Sequence, residues 1–211
     1  MRVIAIDGPA GAGKSTVARA LAARLGLEYL DTGAMYRAVT FAAMGRGIDT
    51  ADVDEVARLA REISLDVSEQ GVLVDGVDAT TEIRSREVTA AVSAVAANSG
   101  VRAELVQRQR RWANQRGGGV LEGRDIGSVV FPDAELKLYL TATPRVRAER
   151  RVAEAGGDVD EIEAAIARRD RYDSSRTDSP LVEAGGAIVV DTTGLSIDQV
   201  LRRIEELLER E

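Results

Sequence analysis

Short β-branched runs alternate along this chain with stretches in which apolar residues recur every three or four positions. Residues 3–6 form such a run, closed by Asp7-Gly8-Pro9, and predict a buried strand entering a loop. Beyond Gly13 the spacing of Val17, Ala20, Leu21 and Leu25 predicts a helix that Gly26 ends. Residues 27–30 predict a second strand and residues 34–44 a helix stopped by Gly45 and Gly47. Residues 52–63 predict an amphipathic helix, with Thr50 or Asp52 as its N-cap. Between residues 65 and 83 the period changes. Apolar runs at 65–67, 72–74 and Val77 are separated by Gln70-Gly71 and Asp75-Gly76, which predicts a small antiparallel meander. Helical spacing returns over residues 82–97 and 100–115, and Gly117-Gly118-Gly119 breaks it. Strands are predicted at 120–121 and 136–140, the latter followed by Thr143-Pro144 opening a helix. Gly156-Gly157 interrupts that helix, and Asp158 caps another running to about residue 173. A last strand at 187–190 and a last helix at 196–209 complete the pattern. Five apolar strands alternating with helices predict an α/β fold with a mostly parallel, doubly wound sheet.

Composition narrows the chemistry. The 211 residues, with 45% hydrophobic and 30% charged, suit one globular domain or a core domain with an insertion. The absence of cysteine and histidine removes disulfides, thiolate nucleophiles, a Ser-His-Asp triad and His-ligated metals. Carboxylates, Arg, Lys, hydroxyls, backbone amides and a hard cation are what remains. The net charge of −7 and the lack of a basic stripe argue against nucleic-acid binding. No stretch predicts a signal peptide or a membrane span, so a cytoplasmic protein is expected. No long apolar seam calls for a dimer, and a monomer is expected.

Only Lys14 and Lys137 are lysines among the 28 basic residues, and Lys14 stands in a glycine-rich loop. Gly8-Pro9-Ala10-Gly11-Ala12-Gly13-Lys14-Ser15 fits G-x-x-x-x-G-K-[ST] between a predicted strand and a predicted helix. Such a loop turns successive N–H groups inward as an anion nest at a helix N-terminus. Residues Gly8 to Ser15, with Thr16, are the candidate ATP site. Lys14 would reach the β- and γ-phosphates and the Ser15 hydroxyl would ligate Mg²⁺. No guanine-reading Asn-Lys-x-Asp surrounds Lys137. A small chain with this loop, an inserted module and many arginines points to a small-molecule or nucleotide kinase.

Three further motifs sharpen that reading. They are Leu30-Asp31-Thr32-Gly33-Ala34-Met35-Tyr36-Arg37, then Glu122-Gly123-Arg124-Asp125-Ile126-Gly127 with Val130-Phe131-Pro132-Asp133, and Arg168-Arg169-Asp170-Arg171-Tyr172-Asp173-Ser174-Ser175-Arg176. With the loop they make the chain resemble, over essentially its whole length, the bacterial cytidylate kinases, P-loop kinases of CMP and dCMP. The resemblance implies a three-layer P-loop NTPase fold with a five-stranded parallel sheet, a small antiparallel insertion in the monophosphate-binding region and a mobile lid. It implies a single kinase domain over residues 1–211. The core would be about 1–33, 117–144 and 180–211, the monophosphate-binding region about 34–116 and the lid about 145–179.

The resemblance also implies roles. Thr32 and Arg37 would face the acceptor phosphate; on residue type alone the alternative is an N-cap threonine and a solvated arginine. Thr32 stands where the family more often has serine, and the hydroxyl is kept. Ser93 and Arg102 would read the cytosine edge, although Ser93 alone is only a small residue on an alanine-rich helix. A carboxylate or hydroxyl near the exocyclic amine favours cytosine over uracil, because two facing acceptors are costly. Asp125 is the natural carboxylate for this, with Arg124 for phosphate; the alternative is a surface ion pair. Arg169, Asp173 and Arg176 share one helix face. They would bind acceptor phosphate and sugar, or form no more than an exposed salt-bridge ladder. Arg147, with Arg150 or Arg151, could form a cationic lid face over the transferring phosphoryl group, with arginine-rich composition as the competing explanation. Lys14, Arg124, Arg147, Arg150 and Arg151 are thus the catalytic candidates.

The implied reaction is ATP + (d)CMP → ADP + (d)CDP with Mg²⁺. Another small acceptor (UMP, a shikimate-like polyol, dephospho-coenzyme A) and a non-catalytic nucleotide-binding switch are the alternatives.

Overall fold

The computed structural model describes residues 1–208. In chain order its elements are β1 (Arg2–Asp7), α1 (Lys14–Leu25), β2 (Tyr29–Asp31), α2 (Thr32–Gly45), α3 (Val53–Glu62), β3 (Leu65–Ser68), β4 (Gly71–Val74), β5 (Val77–Asp78), α4 (Arg86–Ala97), α5 (Ser99–Arg116), β6 (Gly118–Gly123), β7 (Leu136–Thr141), α6 (Pro144–Ala155), α7 (Val159–Ser174), β8 (Ile188–Asp191) and α8 (Ile197–Leu208). A 3-10 turn at Glu82–Arg84 precedes α4, and a π-helical turn at Ile126–Val130 follows β6. The chain divides into two compact units. One comprises Met1–Glu28 and Gly117 onward; the other is Tyr29–Arg116.

A five-stranded sheet runs in the order β2-β6-β1-β7-β8. The β1–β6, β1–β7 and β7–β8 pairs are parallel, as the alternating pattern predicts. Strands covered on both faces read as near-continuous apolar runs. β1 is buried from Val3 onward and β6 along its whole length, which places Ile4, Ile6, Leu121 and Leu138 in the core. The C-terminal ends of β1 and β6 carry Asp7 and Gly123 side by side. Such a sheet end is where open α/β folds place ligands.

In the second unit α2 is buried over most of its length and packs with α3 and α4. The β3-β4-β5 sheet is the small antiparallel meander predicted between residues 65 and 83. Asp75-Gly76 forms its second turn with both residues at positive φ, 51° and 79°, the geometry that matches strand twist. The first turn differs from expectation. Ser68 pairs with Gly71, so Glu69-Gln70 is the loop and Gly71 opens β4.

Other boundaries shift for local reasons. The helix predicted over 82–97 is split, because the Ser85 hydroxyl accepts from the Val88 N–H and starts α4 after the 3-10 turn. Of the predicted Gly117–Gly119 break, Gly118 and Gly119 belong to β6. Gly118 sits at φ 141°, where a Cβ would come within 2.0 Å of the Arg2 carbonyl oxygen, so only glycine fits there. Asp52 caps α3 through the Glu55 N–H, and Asp158 caps α7 as predicted. Glu209, the last residue of the final predicted helix, lies outside the described residues.

Candidate active site

β1 delivers the chain into the glycine-rich loop, and α1 begins at Lys14 as the motif requires. Gly8 passes so close to β7 that a Cβ would fall 2.0 Å from the Leu140 carbonyl oxygen. Gly13 is the N-cap of α1, with φ 89°; no side chain caps the helix and no acidic residue lies in its first turn. Those first N–H groups and the dipole favour an anion there. Lys14 is only 7% exposed, with its Nζ donating to the Pro9 carbonyl at 2.9 Å. Burial pushes its ammonium down to about 7, and the nearby Arg124 charge pushes the same way, as does Arg169, against Glu122 and Asp7. Ser15 is half-buried and Thr16 exposed at the mouth of the loop.

The turn after β6 is held from β1. Asp7 accepts from the backbone N–H groups of Ile126 at 2.8 Å and Gly127 at 2.7 Å. Burial pushes its carboxyl up to about 6, opposed by those two hydrogen bonds. Asp125 is 4% exposed, too buried for the surface ion pair that the sequence alone left open. Arg124 Nε donates to Asp173 Oδ2 at 3.0 Å. On the other side Gly127 packs against the Lys137 stem, whose Nζ donates to the Gly185 carbonyl.

Asp173 is 1% exposed, paired with Arg124 and Arg176 and 4.0 Å from Arg169. The exposed ladder considered for Arg169, Asp173 and Arg176 is therefore excluded. Two motifs separated by some fifty residues form one cluster, and its Arg124 and Arg169 charges reach Lys14.

The three α6 arginines separate. Arg147 is 4% exposed; it donates to the Ala142 and Ala10 carbonyls and pairs with Asp170 at 2.7 Å, tying α7 to the loop. Arg150 donates to the hydroxyl and carbonyl of Thr192, whose Oγ1 lies 3.2 Å from the Ala12 carbonyl oxygen. Arg151 is exposed and pairs with Glu154 on its own helix.

In the second unit, Thr32 is buried and opens α2, but the cap is Asp31, which accepts from the Ala34 N–H. Arg37 is 8% exposed rather than solvated; its Nη1 donates to the Ile83 carbonyl at 3.1 Å and to Thr89 Oγ1 at 2.8 Å. Ser93 is half-buried on α4. Arg102 is 4% exposed on α5, with Nη1 on the Ala96 carbonyl and its guanidinium over the Tyr36 ring. Burying arginines costs free energy that a structural role alone seldom returns.

Asp7, Glu122, Thr89 and Thr192 were not singled out from sequence. Asp7 immediately precedes the loop motif, and a carboxylate at the end of a central strand is a signal for it. Nothing marks Thr192, which acts only through the return of β8 to the loop.

The family model for cytidylate kinase matches residues 4–210. A cytidylate kinase from Corynebacterium efficiens is 50% identical over 216 residues, covering 98% of this chain and 94% of its own length. A bifunctional pantoate ligase/cytidylate kinase from a Synechococcus species is also 50% identical, over 99% of this chain and 44% of its own length, so this chain spans less than half of that relative. The solved structure of shikimate kinase from Acinetobacter baumannii in complex with shikimate aligns with a TM-score of 0.52, covering 100% of this chain and 94% of its own. At 15% identity that is a likeness of fold.

Proposed function

The chain belongs to the cytidylate kinase family, and we infer that it transfers the γ-phosphoryl group of ATP to CMP or dCMP, giving ADP and CDP or dCDP. The observation that carries this reading furthest is the cation cluster beside the loop. Lys14, Arg124, Arg169 and Arg176 gather in an otherwise acidic protein, two of the arginines near enough to depress the Lys14 ammonium. Burial is the larger cause of that depression, and a phosphate group among these cations offsets the repulsion and favours the charged lysine.

The acceptor is a phosphate monoester with a second pKa of about 6, so near neutral pH it is largely dianionic and needs no general base. A chain without histidine therefore lacks nothing for this step. The barrier lies in bringing two polyanions together, which cations and loop amides overcome by stabilising charge on the moving phosphoryl group. Lys14 and the loop from Gly8 to Thr16 hold the donor phosphates. Arg124, Arg169 and Arg176 hold the acceptor phosphate, and exchanging Asp173 from arginine to a sugar hydroxyl frees those guanidiniums for it. Thr32 and Arg37 serve the same phosphate, while Ser93, Arg102 and Asp125 read the cytosine edge. Residues 145–179 act as the lid, in which Arg147 and Arg150 sit against the loop and Arg151 is drawn in on closure.

Mg²⁺ fits the donor set through the Ser15 hydroxyl at the loop. The Ser15 hydroxyl would hold the ion, which at such a site would keep phosphate and water ligands besides. The ion supplies charge neutralisation at the phosphates. No described helix is long and apolar enough to cross a membrane, and we place the protein in the cytoplasm as a monomer.

A coupled ADP-release assay over a panel of nucleoside monophosphates tests the reading. CMP and dCMP should support turnover far better than UMP, with AMP and GMP poor acceptors. ADP release indifferent to CMP would contradict it.

A further inference from the structure

We propose that Asp7 is a positioning residue that fixes Asp125 for recognition of the acceptor base. This rests on the reading of Asp125 given above. The π-helical turn at Ile126–Val130 begins with N–H groups that have no partner within it, and Asp125 is its N-cap residue. Aspartate is among the best capping side chains and would ordinarily bond such N–H groups itself. Here the Asp125 side chain makes no capping bond. Asp7, from β1, accepts from Ile126 and Gly127 in its place.

The consequence is geometric. The Ile126 N–H belongs to the peptide plane that sets ψ of Asp125, 22° here. The other end of that plane, the Asp125 carbonyl, accepts from Val129 at 2.9 Å and Val130 at 3.1 Å. With both ends held, the backbone beside the Asp125 Cα is held too, and with Asp7 on those N–H groups the Asp125 carboxylate is kept from collapsing onto its own helix end. Asp7 is itself buried at 3% exposure, beside the negative charge of Asp125, an arrangement that stability alone does not favour. Asparagine at position 7 offers one acceptor and turns an amide NH₂ toward the second N–H, so one bond is lost.

Two measurements on the full chain test this. Hydrogen exchange at the Ile126 and Gly127 amides, without substrate, reads the anchor independently of any assigned reaction. Asp7→Asn should speed it at least ten-fold while Leu121 on β6 keeps its protection. Unchanged exchange would overturn the proposal. Steady-state kinetics then read the consequence: KM for CMP should rise about ten-fold while KM for ATP stays within two-fold, and CMP-over-UMP discrimination should fall. On an Asp125→Asn background Asp7→Asn should add little to KM for CMP. A full additional effect there, or equal shifts in both KM values, would overturn it. Asp7→Ser, smaller and able to accept one bond, gives the same comparison should the asparagine variant not fold. Failure of the kinase reading would show as CMP-independent ADP release by the wild type, with the exchange result unaffected.

Discussion

Asp173 shows how a residue acquires its meaning from partners far along the chain. The spacing of Arg169, Asp173 and Arg176 puts them on one face, and that much is legible without coordinates. That Arg124 closes the cluster from the turn after β6 is not, because nothing local links positions 124 and 173. Burial of Asp173 at 1% exposure turns a surface ladder into a buried ion cluster. Lys14 belongs to the same scale. The glycine-rich motif identifies it outright, since its spacing alone demands a lysine at the head of a helix. Its repulsion by Arg124 and Arg169 depends on the assembled fold. Lys14→Met should lower kcat by about 100- to 1000-fold, the scale of one electrostatic contributor to a phosphoryl transition state. The fold should survive, because the change removes a buried charge. Turnover near that of the wild type, with far-ultraviolet circular dichroism unchanged, would exclude Lys14 from catalysis.

Elements were most legible where one period ran uninterrupted. β1, α1, α3, α7 and the meander lie where apolar spacing and caps place them. Misplaced boundaries have two causes: a local side chain, as where Ser85 starts α4 after the 3-10 turn, or a neighbouring strand that overrules a local signal. Gly71 reads as a turn residue but starts a strand, and Gly118 reads as a breaker but lies inside β6 against Arg2. The π-helical turn at Ile126–Val130 had no local signal, as its first N–H groups are satisfied from β1. The C-terminal end of α3 makes the same point. Arg108, one turn after Glu104 on α5, pairs with that carboxylate and donates to the Ala60 and Ile63 carbonyls that α3 leaves open. Arg108→Ala should destabilise the protein by about 1–2 kcal/mol, the value of two or three partly buried hydrogen bonds. Urea unfolding reads this as a lower midpoint at constant slope. An unchanged midpoint would show the cap to be idle.

At the scale of the whole molecule, a net charge of −7 coexists with a cationic centre walled by buried carboxylates. Asp7 makes stability pH-dependent in a direction opposite to that of most paired carboxylates. Its carboxyl lies near 6 when folded and near 3.8 when unfolded, with burial the main cause. Between about pH 4 and 6 the folded state therefore holds a proton that the unfolded chain releases. This group's contribution rises as pH falls through 6 and is complete below about 4. The stability difference between wild type and Asp7→Asn should shift by roughly 2–3 kcal/mol from pH 4 to pH 7, against the wild type at the higher pH. Denaturant titrations of both proteins at intervals between those values check it; a difference independent of pH would contradict the assignment.

On the proposed function, this cationic centre passes a phosphoryl group from ATP to CMP or dCMP. The most direct measurement follows the group itself. With γ-labelled ATP, Mg²⁺ and CMP, the label should appear in the β-phosphate of CDP, one for each ADP formed. Label found only in inorganic phosphate or left in ATP would contradict the account.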